Sequence, residues 1–184
     1  MSTNTDIVTI QALRDQLLIR EQQLAVLIAN AKNSESIASN IHKISLSMLA
    51  QRSASAVPVA GLEAMAHWFG LQDSAVRLWG VDPVFAQLPY AAPVGDDVIT
   101  FANGLRQPYC GPNHAFSMVD WLARPVGSLA MMALRITPNA PAFGLLVIGH
   151  ESDTHFASDK STDLLAQLGQ VFSAGLGRLL PNNA

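Results

Sequence analysis

Five histidines and one cysteine supply most of the side chains with which this chain could do chemistry: His42, His67, His114, His150, His155 and Cys110. Cys110 and His114 lie four positions apart, on and just after the segment PYCGP. A thiolate beside an imidazole makes a nucleophile with its base, provided the backbone brings the two within hydrogen-bond reach. The spacing alone says little, and no third, orienting residue stands out. The pair therefore reads as a structural thiol next to a loop histidine. His150, Asp153 and His155, with Glu151 between them, carry metal-binding donor types. Structural metal sites supply four ligands at tighter, paired spacing, so this stretch reads as a polar loop before the last helix, and no metal is expected. There is no GxSxG, no HExxH, no P-loop and no GxGxxG after a strand. The carboxylates are scattered, and the expectation is a protein that is not an enzyme.

A binding role has more to draw on. The twelve aromatic residues include Trp68, Trp79, Tyr90, Tyr109 and Trp121, which fall in or near segments expected around one face of a sheet. Tyr and Trp join apolar bulk to a polar tip, a combination suited to a small-molecule pocket and equally to an ordinary core. Arg77, Trp79, Tyr109, Cys110 and His114 form the candidate ligand-facing set. Neither a ligand nor a cofactor can be named from them.

Composition narrows the partners. Apolar residues make up 49% of the chain and charged residues 14%, against about 25% charged in an average globular protein. Residues 1–52 hold nine charges and the other 132 residues share sixteen. So small a supply of charge predicts a domain that buries much of its surface, partly against another chain. The net charge is −3 without any Lys/Arg cluster, which argues against direct binding of nucleic acid. With a single cysteine no intrachain disulfide can form. No apolar stretch has the length of a membrane span or the pattern of a signal peptide, so a soluble cytoplasmic protein is expected.

The elements that must position these residues begin with a long helix. From Ile7 to Gln51 there is neither Pro nor Gly. One heptad register places Ile10, Leu17, Leu24, Ala31, Ala38 and Ser45 at a, and Leu13, Arg20, Leu27, Ser34, Ile41 and Met48 at d. Arg20, Ser34 and Ser45 weaken the seam, while Ile28, Ile37 and Ile44 widen the stripe toward its C-terminal half. A helix of about 45 residues is about 68 Å long, and the remaining residues make a domain about 36 Å across. The domain cannot cover the whole stripe, so a homodimer is expected, with residues 1–52 as a dimerisation helix and 53–184 as the domain.

Within the domain, Ser53–Pro58 reads as a linker and Ala60–Phe69 as a short helix ended by Gly70. Ser74–Val81 reads as a strand, Pro83–Pro93 as loop and Asp96–Leu105 as a helix led by two acids. PYCGP reads as a rigid turn, and Ala115–Leu122 as a short helix. The apolar runs Val126–Ile136 and Phe143–Gly149 read as a hairpin of buried strands. Asp159–Leu180 reads as a terminal helix capped by Ser158. On it, Gly169, Ser173 and Gly177 form a small-residue strip expected to receive the C-terminal half of the long helix, from its own chain or its partner's.

The order of these elements resembles a GAF domain, an antiparallel sheet flanked by helices. More narrowly, QLAVLIANAKNSESIASNIHKISLSML, VRLW, PYCGP, VGSLAMMALR, FGLLVIG and THFASDKSTDLLAQLG are similar to the proteobacterial family catalogued as domain of unknown function 484. The resemblance implies an α+β fold with a preceding coiled-coil helix. The family has no established activity. Other GAF domains bind cyclic nucleotides, bilins or haem, or transmit signals between dimer helices. Some GAF-like enzymes reduce free methionine sulfoxide with several cysteines, a chemistry that Cys110 alone does not supply. The expected function is a dimeric sensory or regulatory module that binds a small molecule or a protein partner. A protein-interaction scaffold without a ligand pocket is one alternative, and an enzyme dependent on Cys110 is the other.

Overall fold

The computed structural model describes residues 2–156 and 163–181, with side chains from residue 11 onward except Ala12. The side chain of Ile10, the cap assigned to Ser158 and a helix start at Asp159 lie outside the described residues. The chain divides into two compact units, Met1–Ser39 and Asn40–Ala184.

The described residues of the first unit belong to α1 (Ser2–Leu49). Its large apolar side chains are exposed: Leu13, Leu17, Leu24, Leu27 and Ile28 range from 48% to 68%. In the second unit the last turns of α1 are buried on one side. Ile41, Ile44 and Met48 join the domain core, with Ile44 fully enclosed. The d positions Ile41 and Met48 of the heptad reading therefore serve the chain's own core.

The second unit continues through α2 (Val57–Phe69), β1 (Ser74–Leu78), α3 (Asp96–Gly104), β2 (Tyr109–Pro112), β3 (Ser128–Leu134), β4 (Gly144–His150) and α4 (Asp163–Leu176). Pro58 sits in the first turn of α2, where a missing N–H costs nothing. The helix thus starts three residues before the expected Ala60. Gly70 ends it at φ 70°, donating its N–H to the Ala66 carbonyl. The four strands form one antiparallel sheet in the order β1-β4-β3-β2. Both faces of this sheet are covered, which is why β3 and β4 read as unbroken apolar runs and not as alternating ones. Ala130, Met132, Leu134, Leu146 and Ile148 face a core shared with α2, α4 and the end of α1. Leu129, Met131, Leu145 and Val147 face a second core closed by Val98 and Ala102 of α3 and by Met118.

Several expectations change. Tyr109–Pro112 of PYCGP is a strand, not a turn. Asn113 N–H donates to the Gly127 carbonyl at 2.8 Å, continuing the ladder past Pro112 opposite Ser128. In that alternation the backbone groups of residues 109, 111 and 113 face β3, and those of 108, 110 and 112 face outward. Both prolines fall at outward positions, where the absent N–H breaks no ladder bond and blunts the sheet edge. Ser117–Trp121 is 3₁₀ and not α-helical, and residues 177–179 are likewise 3₁₀ beyond α4. β1 stops at Leu78, ahead of Gly80 at φ 63°.

The small-residue strip of α4 lies along β3 within this chain. A Cβ built on Gly169 would stand 3.3 Å from Met132 Cβ, one on Gly177 would meet Ile136, and Ser173 Oγ accepts from the Arg135 N–H at 3.1 Å. The glycine that faces the end of α1 is Gly175, whose built Cβ would lie 2.6 Å from Met48 Cε.

Candidate functional site

The candidate ligand-facing residues occupy opposite edges of the sheet. Arg77 and Trp79 lie on and just after β1, while Tyr109, Cys110 and His114 lie on and just after β2. Three interstrand spacings of about 4.8 Å separate the two edges, about 14 Å in all. Alternation along β2 splits the set further. Tyr109 faces the α3 side and Cys110 the helical core on the other face.

The polar tips are already in use. Arg77 Nη1 donates to the Pro89 carbonyl at 2.9 Å, with its guanidinium 5.6 Å from the Trp121 ring centroid. Trp79 Nε1 donates to the Ala142 carbonyl at 2.6 Å, and the Tyr109 hydroxyl to the Pro112 carbonyl at 2.9 Å. The volume over this face is filled by side chains. Val98, Ala102, Met118, Leu129, Met131, Leu145 and Val147 are each exposed by 4% or less.

Neither histidine constellation assembles a reactive centre. Cys110 and His114 are four residues apart along nearly extended backbone, about 13 Å at 3.3 Å per residue. The His114 ring is exposed, and its centroid sits 6.3 Å from that of the Phe116 ring. His150 and His155 do meet, with ring centroids 3.7 Å apart and planes at 11°. His150 Nδ1 accepts from the Ser152 N–H at 3.1 Å. Rings stacked in this way direct their nitrogens along parallel planes and not toward a common point. Among the described residues no group of three His, Cys, Asp or Glu side chains is placed to hold a metal ion. Since the Cys110 thiol is half-buried toward the helical core, iodoacetamide should alkylate it no faster than a free peptide thiol at neutral pH. Faster alkylation would reinstate an activated cysteine.

The most heavily bonded side chain was not singled out by sequence. Arg135, just past β3, donates through Nη1 to the Ala140 carbonyl and through Nη2 to the carbonyls of Ala102, Asn103 and Leu105. Those last three close the C-terminus of α3, the negative end of its dipole. Asn103 Oδ1 accepts from the Ala142 N–H at 2.8 Å and ties the same turn to the β3–β4 loop. Burial, and secondarily Arg106, lower the pKa of Arg135. A lone arginine closing the run LAMMALR was the visible signal. Ser128 is a second omission: it is fully buried, and its hydroxyl donates to the Ser152 carbonyl at 2.6 Å.

Both tyrosines predict a response to alkali. Burial raises the pKa of Tyr90 and of Tyr109 above 10, with the charge of an ionised Cys110 adding to the effect at Tyr109. Above pH 10 the unfolded chain loses phenolic protons that the folded chain keeps. The stability held below pH 10 should therefore fall as pH rises through the folded values. Urea midpoints at pH 8 and pH 11 measure the loss, which should shrink when Tyr90 and Tyr109 are both replaced by Phe.

Two cavities lie elsewhere. One of about 200 Å³ is lined by Gly70–Asp73, Arg124, His150 and Glu151, with Arg124 Nε 2.8 Å from Asp73 Oδ2. The other, of about 410 Å³, runs between the end of β3 and α4.

Solved structures share this architecture. The GAF domain of a phosphoenolpyruvate-protein phosphotransferase (ptsP) from Coxiella burnetii matches with a TM-score of 0.58 at 11% identity, over 79% of this chain and 95% of that one. The A. aeolicus nlh2 GAF domain in an inactive state matches at 0.56 and 11%, over 79% and 98%. Free methionine-R-sulfoxide reductase from Neisseria meningitidis, solved with its substrate, matches at 0.52 and 18%, over 77% and 88%. Identities this low establish the fold alone, which is that of a GAF domain. No curated protein sequence matches the chain. The family described as protein of unknown function, DUF484, matches residues 6–180, and the chain belongs to that family.

Proposed function

We propose that this protein is a non-catalytic regulatory module that works as a homodimer, with residues 1–52 as its dimerisation helix and 53–184 as the domain the helix serves. The observation that carries the proposal is the exposure of Leu13, Leu17, Leu24 and Leu27, each at 59% or more. Four leucines at heptad spacing on one helix make a seam for a second copy. Residues 40–49 have a double role, since Ile44 and Met48 anchor the same helix in the domain core.

Regulation here runs through protein contacts and not through a pocket above the sheet, because core side chains fill that space. The cytoplasm is the proposed setting, and no described helix is long and apolar enough to cross a membrane. Light scattering at micromolar concentration tests the central element. Twice the chain mass is expected, and a monomer would overturn the reading.

A further inference from the structure

The unpaired end of β3 borders the groove of about 410 Å³. The ladder parity set by Asn113 and Gly127 directs the backbone groups of residues 129, 131 and 133 toward β2. Pairing between β2 and β3 ends at Tyr109 opposite Met131. Ala133 therefore presents its N–H and C=O beyond the end of β2, into the gap where the segment Leu105–Pro108 diverges to form the far wall of the groove. The near wall is α4, held close by Gly169 against Met132. A strand end exposed beside an apolar trough is the geometry that accepts an added strand, with main-chain bonds giving affinity and alternate side chains entering the trough.

Charge says what kind of strand. Among the described residues the groove is lined by Arg106 and Arg135 and by no Asp or Glu, in a chain whose net charge is −3. Arg135 is committed to carbonyls of its own chain. Arg106 is exposed, and the ion pair found among the described residues is Arg124 with Asp73. Arg106 is thus the cation on offer to a ligand. We propose that this groove binds an extended acidic peptide segment of another protein, which adds as a short strand at Ala133 and sets a carboxylate against Arg106. A volume of this size holds a few residues, consistent with a short linear segment and not a folded surface. The proposal names a partner class without depending on the dimer, so light scattering and peptide binding can fail separately.

The test is titration of the ¹⁵N-labelled full chain with three probes: a capped hexapeptide of alternating Val and Glu, its Val and Lys counterpart, and glutarate. The Glu peptide is expected to saturate at submillimolar concentration and to shift the amide signals of Arg106, Ala133 and Ser173. Arg106→Glu, an exposed substitution, should weaken that peptide at least tenfold and favour the Lys peptide. Ala174→Phe, placed on the exposed wall of α4, should block both peptides while signals remote from the groove stay in place. Equal binding of the Glu and Lys peptides would overturn the proposal, as would shifts that map elsewhere. Glutarate binding as tightly as the Glu peptide would mark a small-anion pocket instead, and no shift at millimolar peptide would mean no site at all.

Discussion

Replacing Leu24 with Glu is expected to leave a folded monomer in place of the proposed homodimer. Leu24 is 62% exposed in the single chain and stands at an a position between Leu17 and Leu27. In a two-stranded seam each such leucine recovers about 1.5–3 kcal/mol on burial. A glutamate in its place forfeits that in both chains and brings two like charges together without partners. The combined loss of about 4–6 kcal/mol raises the dissociation constant roughly a thousandfold or more. Sedimentation velocity across a micromolar dilution series reads the shift directly. The thermal transition of the domain, followed by near-ultraviolet dichroism, should persist. Arg20→Leu is the converse substitution, because Arg20 occupies a d position in the same seam, and it should tighten association. If Leu24→Glu left the mass unchanged, the exposed leucines would not be the dimer contact.

Arg135→Met is expected to cost about 3 kcal/mol of domain stability and to lower Tm by about 10 °C. The guanidinium bonds four carbonyls from two segments, α3 and the β3–β4 loop. Methionine fills similar space but leaves carbonyls at the end of α3 with neither donor nor counter-charge. Hydrogen bonds from a charged donor contribute about 1.5–3 kcal/mol each in favourable cases, and contacts sharing one group do not add fully. Arg135→Lys should recover only part of the loss, since an ammonium cannot reproduce the planar fork. Thermal and urea unfolding of the three proteins give the ranking Arg, then Lys, then Met. Equal stability of the Met and Arg forms would show that water can replace the guanidinium at the α3 terminus.

The elements visible in sequence were those whose signal is local. A stretch without Pro or Gly from Ile7 to Gln51 needs no tertiary partner to read as helix, and α1 spans Ser2–Leu49. VGSLAMMALR and FGLLVIG declared themselves by length and apolarity, and became β3 and β4. What stayed hidden depended on pairing. PYCGP carries two prolines and reads as a turn until the ladder shows that both point outward from β3. Tyr109 and Cys110 are neighbours in sequence, yet strand alternation sends them to opposite cores. Arg77 and Tyr109 belong to one candidate set and lie on the same face of the sheet, but the strand order β1-β4-β3-β2 puts two strands between them. The role of Arg135 was illegible because its partners are main-chain carbonyls, which every sequence has everywhere.

Strand order also bears on how the protein is made. Among the described residues β1 pairs with β4 alone, with Ser74 opposite Ile148. The sheet therefore cannot close until the last strand has left the ribosome. Leu13, Leu17, Leu24 and Leu27 emerge well before that. On one messenger, two neighbouring nascent chains can pair through their first helices while both domains are still incomplete. For the proposed homodimer, synthesis from the N-terminus would favour partners made side by side, and a chain whose last strand is delayed would carry the greatest risk of misassembly.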